Sequence, residues 1–403
     1  MDRELVNKSI LELSDKYSNI LCELPTGFGK TKQALDILKR HFNDKTGNSI
    51  LIVIPRNVLI ESWKQEFIKW KMSKYLMYVT FTTYVSLPKY VDEWDFVIFD
   101  ECHHLSERCR EALTNFDIKR AILLSATVKR DMKDELNEVF DNLISYKIKM
   151  KEAIDNEVLP DPRVFLLPLT LNAKYPTESI WKNPKGKEPV VEVPWATRWS
   201  AIKQKVYKVR IYCSEYHYHQ DLCSQIEWHK NRYMRTRNEA LKAKWLKLAG
   251  DRLKWLSDKK MATMQILKEH FKNERVLLFC NSIEQTEVLG NCINSKFKSS
   301  LTTLEDFNKG KINQISAVNM LSEGCNLINC RIGIWGAINS SEIMIIQKIG
   351  RLLRHKSPVM IIPYYKNTRE EEIVNKMIEN MNPENIKIVS SINDIILPNI
   401  SSC

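Results

Sequence analysis

At 403 residues, with 44% hydrophobic and 27% charged residues, the chain suits a soluble globular protein of two or three domains. No apolar run approaches the roughly 18–20 residues of a membrane helix, and Met1-Asp2-Arg3-Glu4-Leu5 has no signal-peptide pattern. Ten cysteines without a repeated framework, two of them (Cys22, Cys280) in expected core strands, argue against a disulfide scaffold and for a reducing cytosol, while a formal net charge of +12 leaves a strongly basic surface to be explained.

Residues 19–24 read as a buried strand and residues 32–42 as a helix. Between them lies Pro25-Thr26-Gly27-Phe28-Gly29-Lys30-Thr31, the ingredients of a phosphate-binding loop. Gly27 and Gly29 allow a tight turn whose N–H groups point inward at a phosphate, Lys30 supplies a point charge for the β and γ oxygens, and Thr31 can offer its hydroxyl to Mg²⁺. Charge-assisted hydrogen bonds contribute about 1.5–3 kcal/mol each, against about 0.3–1 kcal/mol for a helix N-terminus, so the loop's donors dominate. The general loop pattern has a glycine five positions before Gly29, and Leu24 stands there.

Strands are expected at 49–55, 76–83, 96–100 and 120–125, with helices between. Phe96-Val97-Ile98-Phe99 is an uninterrupted apolar run, as in a central parallel strand covered on both faces. It delivers Asp100 and Glu101 to its carboxyl end, the edge at which open α/β sheets bind ligands. Asp100 is placed to hold Mg²⁺ and Glu101 to orient or deprotonate an attacking water. A solvated acidic cap is the plainer alternative, and the phosphate-type loop upstream weighs against it.

Pro160, Pro162, Pro168, Pro176, Pro184, Pro189 and Pro194 mark a loop-rich stretch. Residues 196–260 then hold 16 Lys or Arg against 6 Asp or Glu, a net of +10. Trp181, Trp195, Trp199, Trp228, Trp245 and Trp255 fall in or just before this segment, as do Tyr207, Tyr212, Tyr216, Tyr218 and Tyr233. Basic residues with interleaved aromatics suit nucleic acid, because cations meet phosphates and rings stack on bases. Leu241, Trp245, Leu248 and Trp255 recur at helical spacing, so these tryptophans are expected in the core of a helical pair. Cys213, His217, His219 and Cys223 invite a zinc reading. At about 100° per residue, however, the first two share one helix face and the last two lie nearly opposite, so one ion cannot collect all four.

A second strand series is expected at 275–280, 314–319, 331–335 and 358–364. Strands alternating with helices imply parallel sheets with right-handed crossovers. The expected fold is α/β: two parallel-sheet domains in tandem, 1–150 and 266–403, with a linker and a basic, largely helical insertion over 151–265.

The motifs together resemble the superfamily 2 helicases of the DExH type, over about residues 3–366. Besides the loop and Asp100-Glu101-Cys102-His103-His104, the resemblance rests on Ile52-Val53-Ile54-Pro55-Arg56 leading to Trp63, on Thr83-Tyr84 and on Ser125-Ala126-Thr127. Further on it includes Leu278-Phe279-Cys280-Asn281-Ser282, Glu323-Gly324-Cys325-Asn326-Leu327 and Gln347-Lys348-Ile349-Gly350-Arg351-Leu352-Leu353-Arg354. It implies two RecA-like domains with ATP and Mg²⁺ between them, and an ATP-dependent helicase or translocase on nucleic acid, DNA before RNA. By the same resemblance Ser125, Ala126 and Thr127 couple the nucleotide site to the nucleic-acid groove through His103. Arg351 and Arg354 resemble arginine fingers, with Gln347 the sensor beside them, and Gly324 and Asn326 belong to the nucleotide site. Pro55, Arg56, Thr83, Tyr84, Asn281 and Ser282 lie where family members contact nucleic acid.

Three positions depart from the family pattern. No adenine-reading glutamine occurs in Arg3-Glu4-Leu5-Val6-Asn7, Asn326 stands where an aspartate is usual, and Val318 and Asn319 stand nearest the usual phosphate-gripping threonine. With 24 residues before the loop and 49 after Arg354, no large fused domain is expected. The expected protein is a cytoplasmic monomer with no membrane partner. A clamp that binds nucleic acid under ATP control without unwinding it, a motor subunit that needs a replication, repair or restriction partner, and an RNA helicase all stay open.

Overall fold

The computed structural model describes residues 2–42, 49–173, 196–200, 205–209, 214–293, 299–318, 327–338, 349–350, 352, 355–379 and 381–397. The first unit contains α1 (Arg3–Lys16), β1 (Asn19–Glu23), α2 (Lys30–His41), β2 (Ile50–Ile54), α3 (Leu59–Lys69), β3 (Val79–Thr83), β4 (Glu93–Trp94), β5 (Phe96–Asp100), α4 (Glu107–Leu113), β6 (Asp117–Ile118), β7 (Ala121–Ser125), α5 (Arg130–Val139), β8 (Ile144–Lys147) and α6 (Met150–Asp155). Six strands form a parallel sheet in the order β3-β2-β5-β7-β1-β8. Alternate residues of each central strand feed the two faces. Ile52, Ile98 and Ile122 join one apolar cluster and Val53, Phe99 and Leu123 the other, which is why these strands read as unbroken hydrophobic runs.

The second unit is a seven-stranded parallel sheet in the order β13-β14-β12-β15-β16-β9-β17. Its strands are β9 (Arg163–Leu169), β12 (Val276–Phe279), β13 (Cys292–Ile293), β14 (Gln314–Ala317), β15 (Ile332–Trp335), β16 (Val359–Tyr365) and β17 (Ile386–Ile388); between β9 and β12 the chain forms an antiparallel pair, β10 (Ala196–Ser200) and β11 (Lys205–Val209). One face of each sheet contributes to a single continuous cluster that also takes in Leu24, Phe28, Ile154, Leu159 and Leu352.

The 151–265 stretch expected as linker and insertion therefore contains a strand of the second sheet. β9 pairs with β16 over its whole length but with β17 only at Val164–Leu166. Leu166 O accepts from Val389 N while Leu169 O accepts from Lys366 N, so alternate residues face alternate neighbours. Pro168 thus faces the β17 side beyond that strand's end, where no ladder donor is needed.

After β11 come α7 (Glu215–Thr236), α8 (Glu239–Lys259) and α9 (Met261–His270). The first two form a helical hairpin around Leu222, Ile226 and Leu248, with Tyr218 and Trp245 packed against them. Trp255 packs beside Leu171, Leu256 and Tyr365, which fastens the hairpin's base to the second unit. Trp245 and Trp255 thus serve the helical core, whereas Trp228 is 52% exposed. At the base, Lys260 Nζ lies 2.6 Å from Glu370 Oε1, with both side chains buried. Burial pushes the Lys260 pKa down, and Glu370 opposes that shift.

Candidate active site

The loop residues at the end of β1 form a tight turn in which Phe28 N–H donates to Pro25 O at 3.1 Å. Gly27 and Gly29 take φ of +90° and +108°, the left-handed region that disfavours a side chain. Gly29 is also the N-cap of α2, with no side-chain cap, no acid in the helix's first turn, and open space within 4 Å of where a Cβ would stand. The first-turn N–H groups of a helix lack intrahelical partners and carry partial positive charge, so this end suits an anion.

Lys30 and Glu101 meet at this turn, with Nζ 3.3 Å from Oε1 and side chains 10% and 14% exposed. Lys30 Nζ, Glu101 Oε2 and Thr26 Oγ1 are buried and make no hydrogen bond among the described residues. A buried ammonium without hydrogen bonds is costly, and phosphate oxygens would satisfy it. The donors, the open glycine turn and the half-buried Thr31 at the start of α2 therefore fit a nucleotide phosphate chain.

Asp100 is held from two sides. Trp63 Nε1–H donates to its Oδ2 at 3.0 Å, and the Tyr84 hydroxyl donates to its main-chain oxygen at 2.6 Å. Burial, then the Glu101 charge, pushes the Asp100 carboxyl up from 3.8 to about 6, against the Trp63 hydrogen bond and the Lys30 charge. An acid raised in the folded state contributes stability below its unfolded pKa and loses it as pH rises through the folded value. Asp100→Asn should therefore stabilise the nucleotide- and metal-free protein at pH 7 by on the order of 1–3 kcal/mol, with the gain vanishing below about pH 4. Denaturant unfolding at the two pH values checks this, and a gain unchanged by pH would assign it elsewhere.

Glu101 follows in the left-handed region, φ 52° and ψ 58°, a conformation uncommon for a residue with a side chain and recurrent at functional sites. His103 Nδ1 lies 3.5 Å from Glu101 Oε2 and 3.2 Å from Ser125 Oγ. Ser125 Oγ donates to Thr127 O at 3.0 Å and accepts the Thr127 N–H at 3.4 Å. With the serine proton so used, the network assigns the Nδ1 proton to His103. Lys30, Glu101, His103, Ser125 and Thr127 thus form one polar chain from the loop to the residues after β7, and Ala126 is buried within it.

Two supporting groups stand outside the motifs. Glu23, fully buried at the end of β1, accepts from Val128 N–H at 3.2 Å and Ser145 Oγ at 3.0 Å and pairs with Lys133 and Lys147. A charged residue inside the apolar run Cys22-Glu23-Leu24 was the available signal. Arg3, in the segment without the adenine-reading glutamine, reaches Gly27 O at 3.4 Å and Val158 O at 3.0 Å.

The second unit touches the loop through Gly350. A Cβ there would come 2.2 Å from Thr26 Cβ and 3.0 Å from Thr26 O, too close for any side chain. Gly350→Ala should push the second unit off the loop and lower ATP turnover at least tenfold with unfolding temperature nearly unchanged; normal turnover would show that the contact is dispensable. Gln347, Arg351, Arg354, Gly324 and Asn326 lie outside the described residues.

Of the residues expected on nucleic acid, Pro55, Arg56, Thr83, Asn281 and Ser282 are partly exposed at or just after the carboxyl ends of β2, β3 and β12. Tyr84 is buried and occupied with Asp100. Ser282 Oγ accepts from Gln285 N–H at 3.4 Å as a helix cap. Of the residues weighed for zinc, His217 Nδ1 lies 2.7 Å from Ser214 Oγ, and Arg252 donates to Cys223 Sγ at 3.3 Å beside the buried His219. No metal-binding group of three His, Cys, Asp or Glu occurs among the described residues, Cys213 lying outside them. Nor is any described helix long and apolar enough to cross a membrane.

Residues 1–130 match the family "Type III restriction enzyme, res subunit", and residues 258–356 match "Helicase conserved C-terminal domain". A curated relative, the "Type I restriction enzyme EcoAI endonuclease subunit" of Escherichia coli, is 23% identical over 46% of this chain and 25% of its own length, so the match spans about a quarter of that protein. Among solved structures, S. cerevisiae Dbp5 bound to RNA and ADP BeF3 is similar at 10% identity, covering 96% of this chain and 89% of that one, with TM-score 0.61. The Pyrococcus furiosus Hef helicase domain is similar at 15% identity over 92% and 97%, TM-score 0.51. The restriction-modification enzyme LlaBIII bound to DNA is similar at 13% identity over 97% of this chain and 31% of that one, TM-score 0.56. The two parallel-sheet units match tandem RecA-like domains. The two family matches and the tandem-sheet fold support a superfamily 2 helicase with restriction-enzyme-like relatives.

Proposed function

We propose that this protein is an ATP-driven translocase or helicase acting on DNA. The observation that carries the reading is the buried, unsatisfied Lys30–Glu101 pair at the open loop, touched by Gly350 of the second unit. Lys30 and the first-turn N–H groups of α2 bind the β- and γ-phosphates. Thr31 and Asp100 would hold Mg²⁺, which would offset phosphate charge. Glu101 orients the attacking water and takes its proton at Oε2; the new bond forms at the γ-phosphorus while the bond to the β–γ bridging oxygen breaks. By the family pattern, Arg351 and Arg354 are the arginine fingers with Gln347 as sensor, and Gly324 and Asn326 belong to the nucleotide site. His103, Ser125 and Thr127 relay the state of Glu101 toward the strand-end residues Pro55, Arg56, Thr83, Asn281 and Ser282, which face the nucleic acid. In this reading 1–150 and 266–403, with β9, are the two motor halves and the remainder of 151–265 is an accessory insertion.

DNA is favoured over RNA by the restriction-enzyme relatives. The same relatives favour a second reading, a motor subunit that stays feeble until a partner joins it. ATP turnover of the purified chain, alone and with single-stranded, duplex and forked DNA and RNA at one salt concentration, tests both. Strong stimulation by a DNA form is expected; stimulation by RNA alone would overturn the DNA assignment, and none by any would favour the partner-dependent subunit.

A further inference from the structure

Toward its distal end the core of the helical hairpin thins to the half-buried Tyr233 and Trp245, whose ring centroids lie 6.1 Å apart. The last buried residue of α7 is Ile226 and the first of α8 is Leu248, so about ten residues of each helix, roughly 15 Å at 1.5 Å per residue, project beyond the fully buried part. Residues 228–247 hold seven Lys or Arg against one acid, Glu239, and that acid is paired with Lys242. At the base, by contrast, Lys259 pairs with Glu215 and Lys260 with Glu370. Cations are neutralised where the hairpin joins the second unit and left in excess where it projects. A merely solvated helix pair would intersperse both signs.

The projecting part also displays rings and apolar side chains. Trp228 is 52% exposed with the Arg232 guanidinium 5.0 Å over its ring, and Met234 and Leu246 are 52% and 54% exposed. Arg237 and Lys242 flank the Tyr233 ring at 5.7 and 5.6 Å. Cations alone would suit any polyanion, but an exposed indole under a guanidinium adds a flat surface for a base.

We propose that the projecting end of the α7–α8 hairpin is a binding arm for single-stranded nucleic acid, with Arg232, Arg235 and Lys244 on phosphates and Trp228 stacking on a base. The inference rests on the reading above that the chain works on nucleic acid. Because the hairpin base is fastened to the second unit by Lys260–Glu370 and the Trp255 cluster, a strand held by the arm moves with that unit.

The test uses the full chain, labelled oligothymidine and an equal-length duplex, with affinity read by anisotropy over a salt series. R232E/R235E/K244E should weaken single-strand binding at least tenfold and flatten its log–log salt slope by about 2, as expected for three lost phosphate contacts. Trp228→Ala should weaken single-strand binding by about fivefold or more and leave duplex binding unchanged. Turnover without nucleic acid should stay at the wild-type rate in both variants, which reports an intact fold. Wild-type affinity and slope in both variants would overturn the arm while leaving the motor reading intact. Equal losses on single strand and duplex for Trp228→Ala would overturn the stacking role. No binding of either probe by the unaltered protein would overturn the motor reading and the arm with it.

Discussion

Lys30→Ala should lower ATP turnover by at least about 10²–10³-fold, the loss typical of removing one preorganised donor to developing charge. The expectation follows from the position of Nζ, buried 3.3 Å from Glu101 and without a hydrogen bond among the described residues. Such a charge is already desolvated and aimed, so phosphate gains its full attraction. The same substitution removes the cation beside Glu101, yet the protein's other polar ties in this region, Glu23 to Val128 and Ser145 and Trp63 to Asp100, do not involve Lys30. The variant should therefore fold and still bind nucleic acid. Turnover and oligonucleotide binding measured on one preparation check this. Loss of both would mean a damaged fold, and near-normal turnover would remove Lys30 from the site.

Lys260→Ala should destabilise the protein by about 3–5 kcal/mol, because it strands Glu370 as an uncompensated charge in a site from which water is excluded. Glu370 Oε2 accepts the Tyr365 N–H at 3.1 Å, so the carboxylate cannot swing out without breaking the end of β16. Lys260→Met combined with Glu370→Gln, which keeps an acceptor for Tyr365, should recover most of the loss, since removing both charges also removes their desolvation cost. Denaturant unfolding of the single and double variants measures it. A loss under about 1 kcal/mol for Lys260→Ala would mean that Glu370 reaches water.

The parts of the fold legible in the sequence are those whose information is local. β2, β5 and β7 are covered on both faces and therefore spell continuous apolar runs, and the loop sits where β1 hands over to α2 as the glycine pattern requires. β8 (Ile-Ser-Tyr-Lys) and β17 (Ile-Lys-Ile) are edge strands with polar residues at alternate positions and carry no such run. β9 does carry one, but Pro168 and the surrounding prolines point to loop, and only the position of β17 shows why the proline is tolerated. At the site, Lys30, Asp100 and Glu101 could be chosen by type and spacing. The grip of Trp63 and Tyr84 on Asp100, and the approach of Gly350 to Thr26, join residues 16 to 324 positions apart. No periodicity encodes such contacts. Likewise Trp228, Trp245 and Trp255 look alike in the sequence, and only the packing of the hairpin separates the exposed ring from the packed ones.

The most direct test of the central claim is displacement rather than hydrolysis. The unaltered protein and Lys30→Ala would be given ATP and two substrates, a partial duplex with a labelled short strand and a duplex carrying a labelled third strand. An ATP-driven motor on DNA should release the label from at least one of them in proportion to ATP consumed, and Lys30→Ala should release none. DNA-stimulated hydrolysis with both substrates left intact would contradict the motor and leave an ATP-gated clamp in its place.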